Sequence, residues 1–84
     1  MNDLPATRLH DVVVVNEQSG AAWRTGSASI RDGRIVVPAA KVPEGFFDHA
    51  AATYRIEAID GGNRSRRFPN CVLISRTSKE YVFD

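Results

Sequence analysis

The side chains best suited to recognising a ligand are concentrated in one short segment, residues 60–70. Arg64, Arg66, Arg67 and Phe68 lie there beside two adjacent glycines. Guanidinium groups bind carboxylates and phosphates through paired hydrogen bonds, and an aromatic ring can stack on a base or fill an apolar pocket. The segment therefore predicts binding to an acidic group on a partner.

Two interpretations of this segment are open. If the two glycines form a tight turn, Glu57 lies opposite Arg66 and a cross-strand ion pair accounts for part of the charge. If the flanking strands instead pair directly, residues 60–70 form a long exposed basic loop. Long loops without regular structure are uncommon in compact domains, which favours the hairpin.

A second pair of arginines flanks a predicted turn at residues 32–33. Asp-Gly between two extended runs is typical of a two-residue type I′ turn, in which both residues have positive φ. This register places Arg31 opposite Arg34 and Ile30 opposite Ile35. Like charges directly opposite each other are unfavourable, so the two arginines either splay apart at a solvated hairpin tip or form a second basic lip for acidic groups. The predicted partner-binding residues are the arginines of both regions, one further strand arginine and the aromatic: Arg31, Arg34, Arg55, Arg64, Arg66, Arg67 and Phe68.

The basic character of the chain is local. Residues 53–79 carry six basic and two acidic side chains, a net charge of +4, whereas the whole chain has a net charge of only +1 and a pI of about 8.0. Nucleic-acid-binding domains more typically have a pI above about 9. This balance favours a protein partner and leaves nucleic acid as the alternative.

Residues that could catalyse a reaction or hold a metal ion form no recognisable pattern. Asp48 and His49 are adjacent, so on a strand they point to opposite faces. Nothing in the spacing requires this pair and the pair His10 and Asp11 to converge on a metal ion. The single cysteine, Cys71, begins an apolar run, where we expect it to be buried and inert among the residues that follow it. We therefore expect no catalytic residue, metal site, cofactor or small-molecule substrate.

The elements that position these residues are predicted to be short strands. Valine and isoleucine number 14 against three leucines, and β-branched residues favour a pleated surface. The predicted class is all-β, a small partly open barrel, SH3-like or OB-like, of five to seven strands. At most one helical turn is expected, near residues 46–52 and with Phe46, Phe47, Ala50 and Ala51 facing inward. The expected strands cover residues 11–16, 22–26, 27–31, 34–38, 53–59, 71–76 and 81–83.

The length of 84 residues predicts a single domain, 1–84, with residues 1–10 as a loosely held lead-in. Neither a signal sequence nor an apolar run long enough to span a membrane is present, which predicts a cytoplasmic protein without a membrane partner.

One part of the sequence consists of residues 53–60, a polar turn and the apolar residues 71–74. It resembles the closing hairpin of phage head–tail connector barrels. The resemblance covers roughly a third of the 84 residues. It implies a phage or mobile-element origin, a structural connector role and a place in the virion. The function predicted from the residues themselves is a small non-enzymatic module that docks on a larger protein or assembles with copies of itself.

Overall fold

The computed structural model describes residues 7–48 and 51–84. The described chain forms seven strands and no helix, which confirms the all-β prediction. The strands are β1 (Thr7–Asn16), β2 (Ala22–Arg31), β3 (Arg34–Pro38), β4 (Tyr54–Asp60), β5 (Ser65–Cys71), β6 (Leu73–Arg76) and β7 (Glu80–Phe83).

The path of the sheet turns it into a small, partly open barrel, as predicted. All seven strands belong to one antiparallel sheet in the order β5-β4-β1-β2-β3-β7-β6. The two strands at the ends of this order, β5 and β6, are consecutive in the chain and separated only by Val72. Segment 65–76 therefore pairs with β4 through its first half and with β7 through its second half, so that the sheet curls round on itself.

Strand β1 begins four residues before the predicted strand 11–16, so residues 7–10 belong to the sheet rather than to a lead-in. Residues 1–6 lie outside the described part. A bulge falls at Asp11, which has a φ of 50° and shifts the pairing of β1 with β4 by one residue. On β2 the register also shifts beside Gly26 (φ 89°), and residues 22–31 form one continuous strand rather than the two that were expected.

The β2–β3 hairpin has the predicted register and turn. Ile30 pairs with Ile35 and Arg31 with Arg34. Asp32 has a φ of 52° and Gly33 a φ of 75°, as a type I′ turn requires. Ile35 faces the core, which directs both arginines to the outside of the barrel.

One end of the barrel is closed by aromatic side chains. Phe46 and Phe47 pack against Trp23, Tyr54 and Tyr81 with ring centroids 5.1–6.0 Å apart. Edge-to-face contacts of this kind stabilise a core beyond the apolar area that they bury.

Asn16, the buried polar residue of the core, holds this closed end in place. Its side-chain amide donates to the Phe46 carbonyl over 3.1 Å, and its oxygen accepts the amides of Gln18 (2.8 Å) and Ser19 (3.1 Å). A buried amide with all its partners ties the turn after β1 to the turn that carries the two phenylalanines.

The helical turn expected near residues 46–52 is not helical where it is described. Two short turns replace it, closed by hydrogen bonds from Phe46 to Pro43 (3.1 Å) and from Asp48 to Gly45 (3.2 Å). Ala51, expected to face inward, is exposed and has a φ of 60°. Residues 49–50 lie outside the described part.

The predicted strand 71–76 is interrupted. Cys71 ends β5, and a one-residue shift at Ile74 bends β6. Val72 and Ile74 are 49% and 44% exposed, so the expectation that they pack with Cys71 in the core is wrong. Alternation along an edge strand directs them outward, and only Leu73 reaches the core from β6.

Replacing Gly33 with valine tests the type I′ turn. A Cβ at Gly33 meets nothing within 4 Å, so the expected loss of about 1–3 kcal/mol in the free energy of unfolding comes from the left-handed backbone alone. Thermal unfolding followed by circular dichroism measures it. The matched control is Gly61→Val, since Gly61 also faces open space but has no left-handed φ. Equal melting temperatures for Gly33→Val and the parent would exclude the turn assignment.

Candidate partner-binding site

The β4–β5 hairpin decides between the two interpretations of residues 60–70 in favour of the tight turn. Ile59 pairs with Ser65, and the turn is closed by hydrogen bonds from Asn63 to Asp60 (2.9 Å) and from Asp60 to Arg64 (3.0 Å). Asn63 has a φ of 63°, a left-handed conformation that asparagine tolerates. The basic residues after it are thus part of the sheet and not of a long loop.

The carboxylate of Asp60 organises this turn. It accepts the amides of Gly62 (2.9 Å) and Arg64 (3.1 Å), and its other oxygen accepts from Arg66 over 3.3 Å. The hydrogen bond from the Arg64 amide is the largest cause that lowers the pKa of Asp60, with smaller contributions from Gly62 and Arg66 and an opposing effect of desolvation. Asp60 therefore stays ionised and compensates part of the charge of Arg66.

The register of the hairpin separates the arginines of β5. Glu57 lies opposite Arg67, not opposite Arg66 as the tight-turn interpretation had it. The turn contains three residues, 61–63, with Asn63 in the left-handed conformation. A two-residue turn at the glycines would have paired Glu57 with Arg66, so the extra residue shifts the pairing of β4 with β5 by one position. Arg66 pairs with the buried Ala58 and therefore faces the inner side, whereas Arg67 faces outward.

Phe68 pairs with the buried Ile56 and lies on the inner face with Arg66. The Arg66 guanidinium lies over its ring, 5.3 Å from the centroid, within the range of a cation–π contact. The predicted cluster of three arginines and one aromatic is therefore divided between the two faces of β5.

Most of the predicted arginines have a carboxylate partner. Glu57 is shared by Arg55 (2.6 Å) and Arg67 (3.7 Å). Arg31 reaches across β3 to Glu80 over 3.2 Å. Among the described residues, Arg34 and Arg64 have no such ion pair. Exposed pairs of this kind add little stability, but they lower the net positive potential of the surface.

A cleft of about 280 Å³ opens at the end of the barrel opposite the aromatic cluster, between the β2–β3 turn and β5. Three buried side chains line it, together with two half-buried ones and four exposed residues. The buried residues are Ile35, Cys71 and Phe83, the half-buried residues are Ile30 and Phe68, and the exposed residues are Gly33, Arg67, Pro69 and Asp84. The half-buried side chains of Ile30 and Phe68 are thus partly exposed in this cleft, and the hairpin tip of Gly33 faces β5 across the opening.

A second, wider groove of about 430 Å³ follows the outer face of β1, β4 and β5 beside the Asp11 bulge. Its polar lining includes Glu57 and Arg67, which already contact each other. That ion pair occupies part of the polar lining, and among the described residues Ala58 is the one buried residue that lines the groove, so the cleft at the open end is the stronger candidate site.

The Cys71 thiol is buried, as predicted. It is 6% exposed and donates to the Phe68 carbonyl over 3.2 Å. Burial raises the pKa of Cys71 to about 11, and the nearby carboxylates of Glu17 and Asp84 add to this rise. The thiol is therefore protonated at neutral pH and is a poor nucleophile.

Within residues 7–48 and 51–84 there is no group of three histidine, cysteine, aspartate or glutamate side chains that could hold a metal ion. His10 and Asp11 lie 3.4 Å apart at the β1 bulge and are both exposed. His49 lies outside the described residues. The described residues also contain no helix long and apolar enough to cross a membrane.

Sequence reasoning missed the acidic and apolar residues of the site. The role of Asp60 was predictable from the sequence, since an aspartate before two glycines favours a turn that is closed by its own carboxylate. The proximity of Ile30 and Asp84 to β5 was not predictable from the sequence, because they meet β5 only through the curl of the sheet.

No protein-family model, no curated protein and no solved structure matches the chain.

Chemical labelling tests the state of Cys71. With a pKa of about 11, roughly one thiol in a thousand is ionised at pH 8. We expect an aromatic disulfide reagent to modify native Cys71 about 100-fold more slowly than the same chain unfolded in urea. Labelling of both states at one rate would show that the thiol is accessible.

The same thiol makes the stability of the fold depend on alkaline pH. Its pKa lies above the ordinary value of 9.0, so the unfolded chain loses this proton first. The stabilising contribution is complete below pH 9 and disappears as the pH rises towards 11. Cys71→Ala is the control, because it lacks this titration. We expect urea unfolding to show the parent losing more stability than Cys71→Ala between pH 8 and 10.5.

Proposed function

We propose that the protein is a small non-enzymatic module that binds another protein through the cleft at the open end of its barrel. The observation that carries this proposal is the cleft itself, where the half-buried side chains of Ile30 and Phe68 line an opening above the buried Ile35 and Phe83. Barrel mouths with an apolar floor and a few polar groups are common binding sites.

The size of the cleft is compatible with one side chain of a protein partner. Its volume of about 280 Å³ lies at the lower end of the range of about 300–1,000 Å³ found for pockets that bind drug-sized ligands. A single bulky side chain from a partner fills such a space, and its backbone lies over the exposed rim.

The charge arrangement favours protein over nucleic acid. Arg31, Arg55, Arg66 and Arg67 each have a carboxylate within 4 Å, which lowers the net positive potential of the surface. Arg66 and Arg67 are still 41% and 68% exposed, so single carboxylates of a protein partner can reach them. Binding along a phosphate backbone depends on many uncompensated cations, and its affinity falls steeply with salt. The head–tail connector role, with its virion location, and the cytoplasmic location stay predictions.

Selection from an unbiased peptide library tests the proposal. Random peptides displayed on phage are selected on the immobilised protein, and the enriched sequences are synthesised for calorimetry. We expect micromolar peptides whose affinity falls about tenfold, or ~1.4 kcal/mol, in Ile30→Gln. Ile74→Gln is the matched control, because it makes the same change at an exposed isoleucine outside the cleft.

Three results would count against this function. They are a failure to enrich any peptide, equal loss of affinity in both isoleucine variants, and tight, strongly salt-dependent binding of a labelled single-stranded oligonucleotide. Sedimentation of the parent and of Ile30→Gln distinguishes the mode of binding. A dimer that only Ile30→Gln dissociates would identify a second copy of the chain as the partner.

A further inference from the structure

The free edge of β5 runs beside the cleft. In the sheet order β5 is the first strand, with β4 as its one neighbour. On the other side the backbone of Asp84, next to β7, exchanges hydrogen bonds of 3.0 and 2.9 Å with Val72. From Ser65 to Pro69, no strand of the described residues pairs with this edge. Its backbone groups can therefore bind an added strand.

The geometry of the barrel fixes the direction and depth of such a strand. β7 is antiparallel to segment 65–76, so an antiparallel strand on β5 would lie in line with β7. Its residue opposite Phe68 faces inward, because Phe68 does. That side chain enters the cleft over Ile35 and Phe83, which requires an apolar residue.

The next two positions of the added strand meet arginines. One lies opposite Arg67, whose side chain is 68% exposed and 3.7 Å from its carboxylate partner. The other lies opposite Arg66, which is 41% exposed. Directly opposite residues of unlike charge stabilise an antiparallel pair. Arg64, beyond them in the turn, has no ion pair among the described residues and extends the positive edge.

Building on the proposed function, we propose that the partner supplies an extended acidic segment that adds to β5 as a strand. Its pattern is one bulky apolar residue followed by two acidic residues, read in the direction antiparallel to β5. The apolar side chain fills the cleft, the two carboxylates meet Arg67 and Arg66, and the backbone pairs with the free edge.

A competing role for the same residues is protection of the edge. Arginines and a proline on an edge strand discourage unwanted pairing between sheets, and Pro69 lies at the end of this one. Under that role β5 binds no strand, and removing the arginines promotes aggregation rather than weakening a complex.

Synthetic peptides distinguish the two roles. The probe is the acetylated, amidated peptide TVLEDTS, compared with TVLKKTS in calorimetry against the full chain. We expect the acidic peptide to bind about tenfold more tightly, and the double variant Arg66→Ser, Arg67→Ser to remove that preference. The control is Arg8→Ser, Arg24→Ser, two exposed arginines on β1 and β2. Melting temperatures verify that both double variants are folded.

Backbone methylation tests strand addition itself. Two further versions of TVLEDTS carry N-methyl groups on alternate residues, so that one blocks the amides facing β5 and the other blocks those facing away. We expect one version to lose binding and the other to keep it. Equal effects of the two versions would overturn strand addition, and so would equal affinities for the acidic and basic peptides.

Failure of the strand-addition proposal is distinguishable from failure of the proposed protein-binding function. If library peptides bind and depend on Ile30 but show neither the acidic pattern nor the methylation effect, the cleft binds proteins in another way. If no library peptide binds, the protein-binding function itself is wrong.

Discussion

The fold depends on one constraint, the change of partner within segment 65–76. Its first half pairs with β4 and its second half with β7, and the backbone hydrogen bonds between Val72 and Asp84 lie at the point of change. Because one segment joins both ends of the sheet, the sheet must curl. Among the described strands the same change leaves β5 with β4 as its one neighbour, so closure of the barrel and the opening beside Phe68 have one cause.

The two ends of the barrel differ in what fills them. At one end, aromatic rings and the buried, hydrogen-bonded side chain of Asn16 close the core. At the other, the β2–β3 turn and β5 leave a cleft over Phe83. The proposed binding site is therefore the open end, where apolar residues and exposed cations lie together. The Asp60 carboxylate orders this end by holding the turn from which Arg66 and Arg67 follow.

Local signals in the sequence were sufficient for the hairpins, and long-range pairing was not predictable from them. Asp-Gly at residues 32–33 specified both the turn and the register of Arg31 with Arg34, because φ and strand alternation are local properties. The bend at Ile74 was not predicted, because the apolar run 71–74 is continuous and hydrophobicity does not distinguish an edge strand from a central one. The arginines were identified, but their faces depend on a one-residue shift in the turn at Asn63. The cleft could not be predicted from the sequence, because Ile30 and Phe68 come together only through the curl of the sheet.

Native-state amide hydrogen exchange, followed by nuclear magnetic resonance, tests the central claim that the barrel is closed at Val72 and open along β5. We expect slow exchange at the amides of Val72 and Asp84, which are both hydrogen-bonded across the closure. Between Ser65 and Phe68 we expect alternation, with amides facing β4 protected and those on the free edge exchanging at the rate of an unstructured chain. Uniform protection from Ser65 to Phe68 would show that the edge is already covered, and would contradict the account.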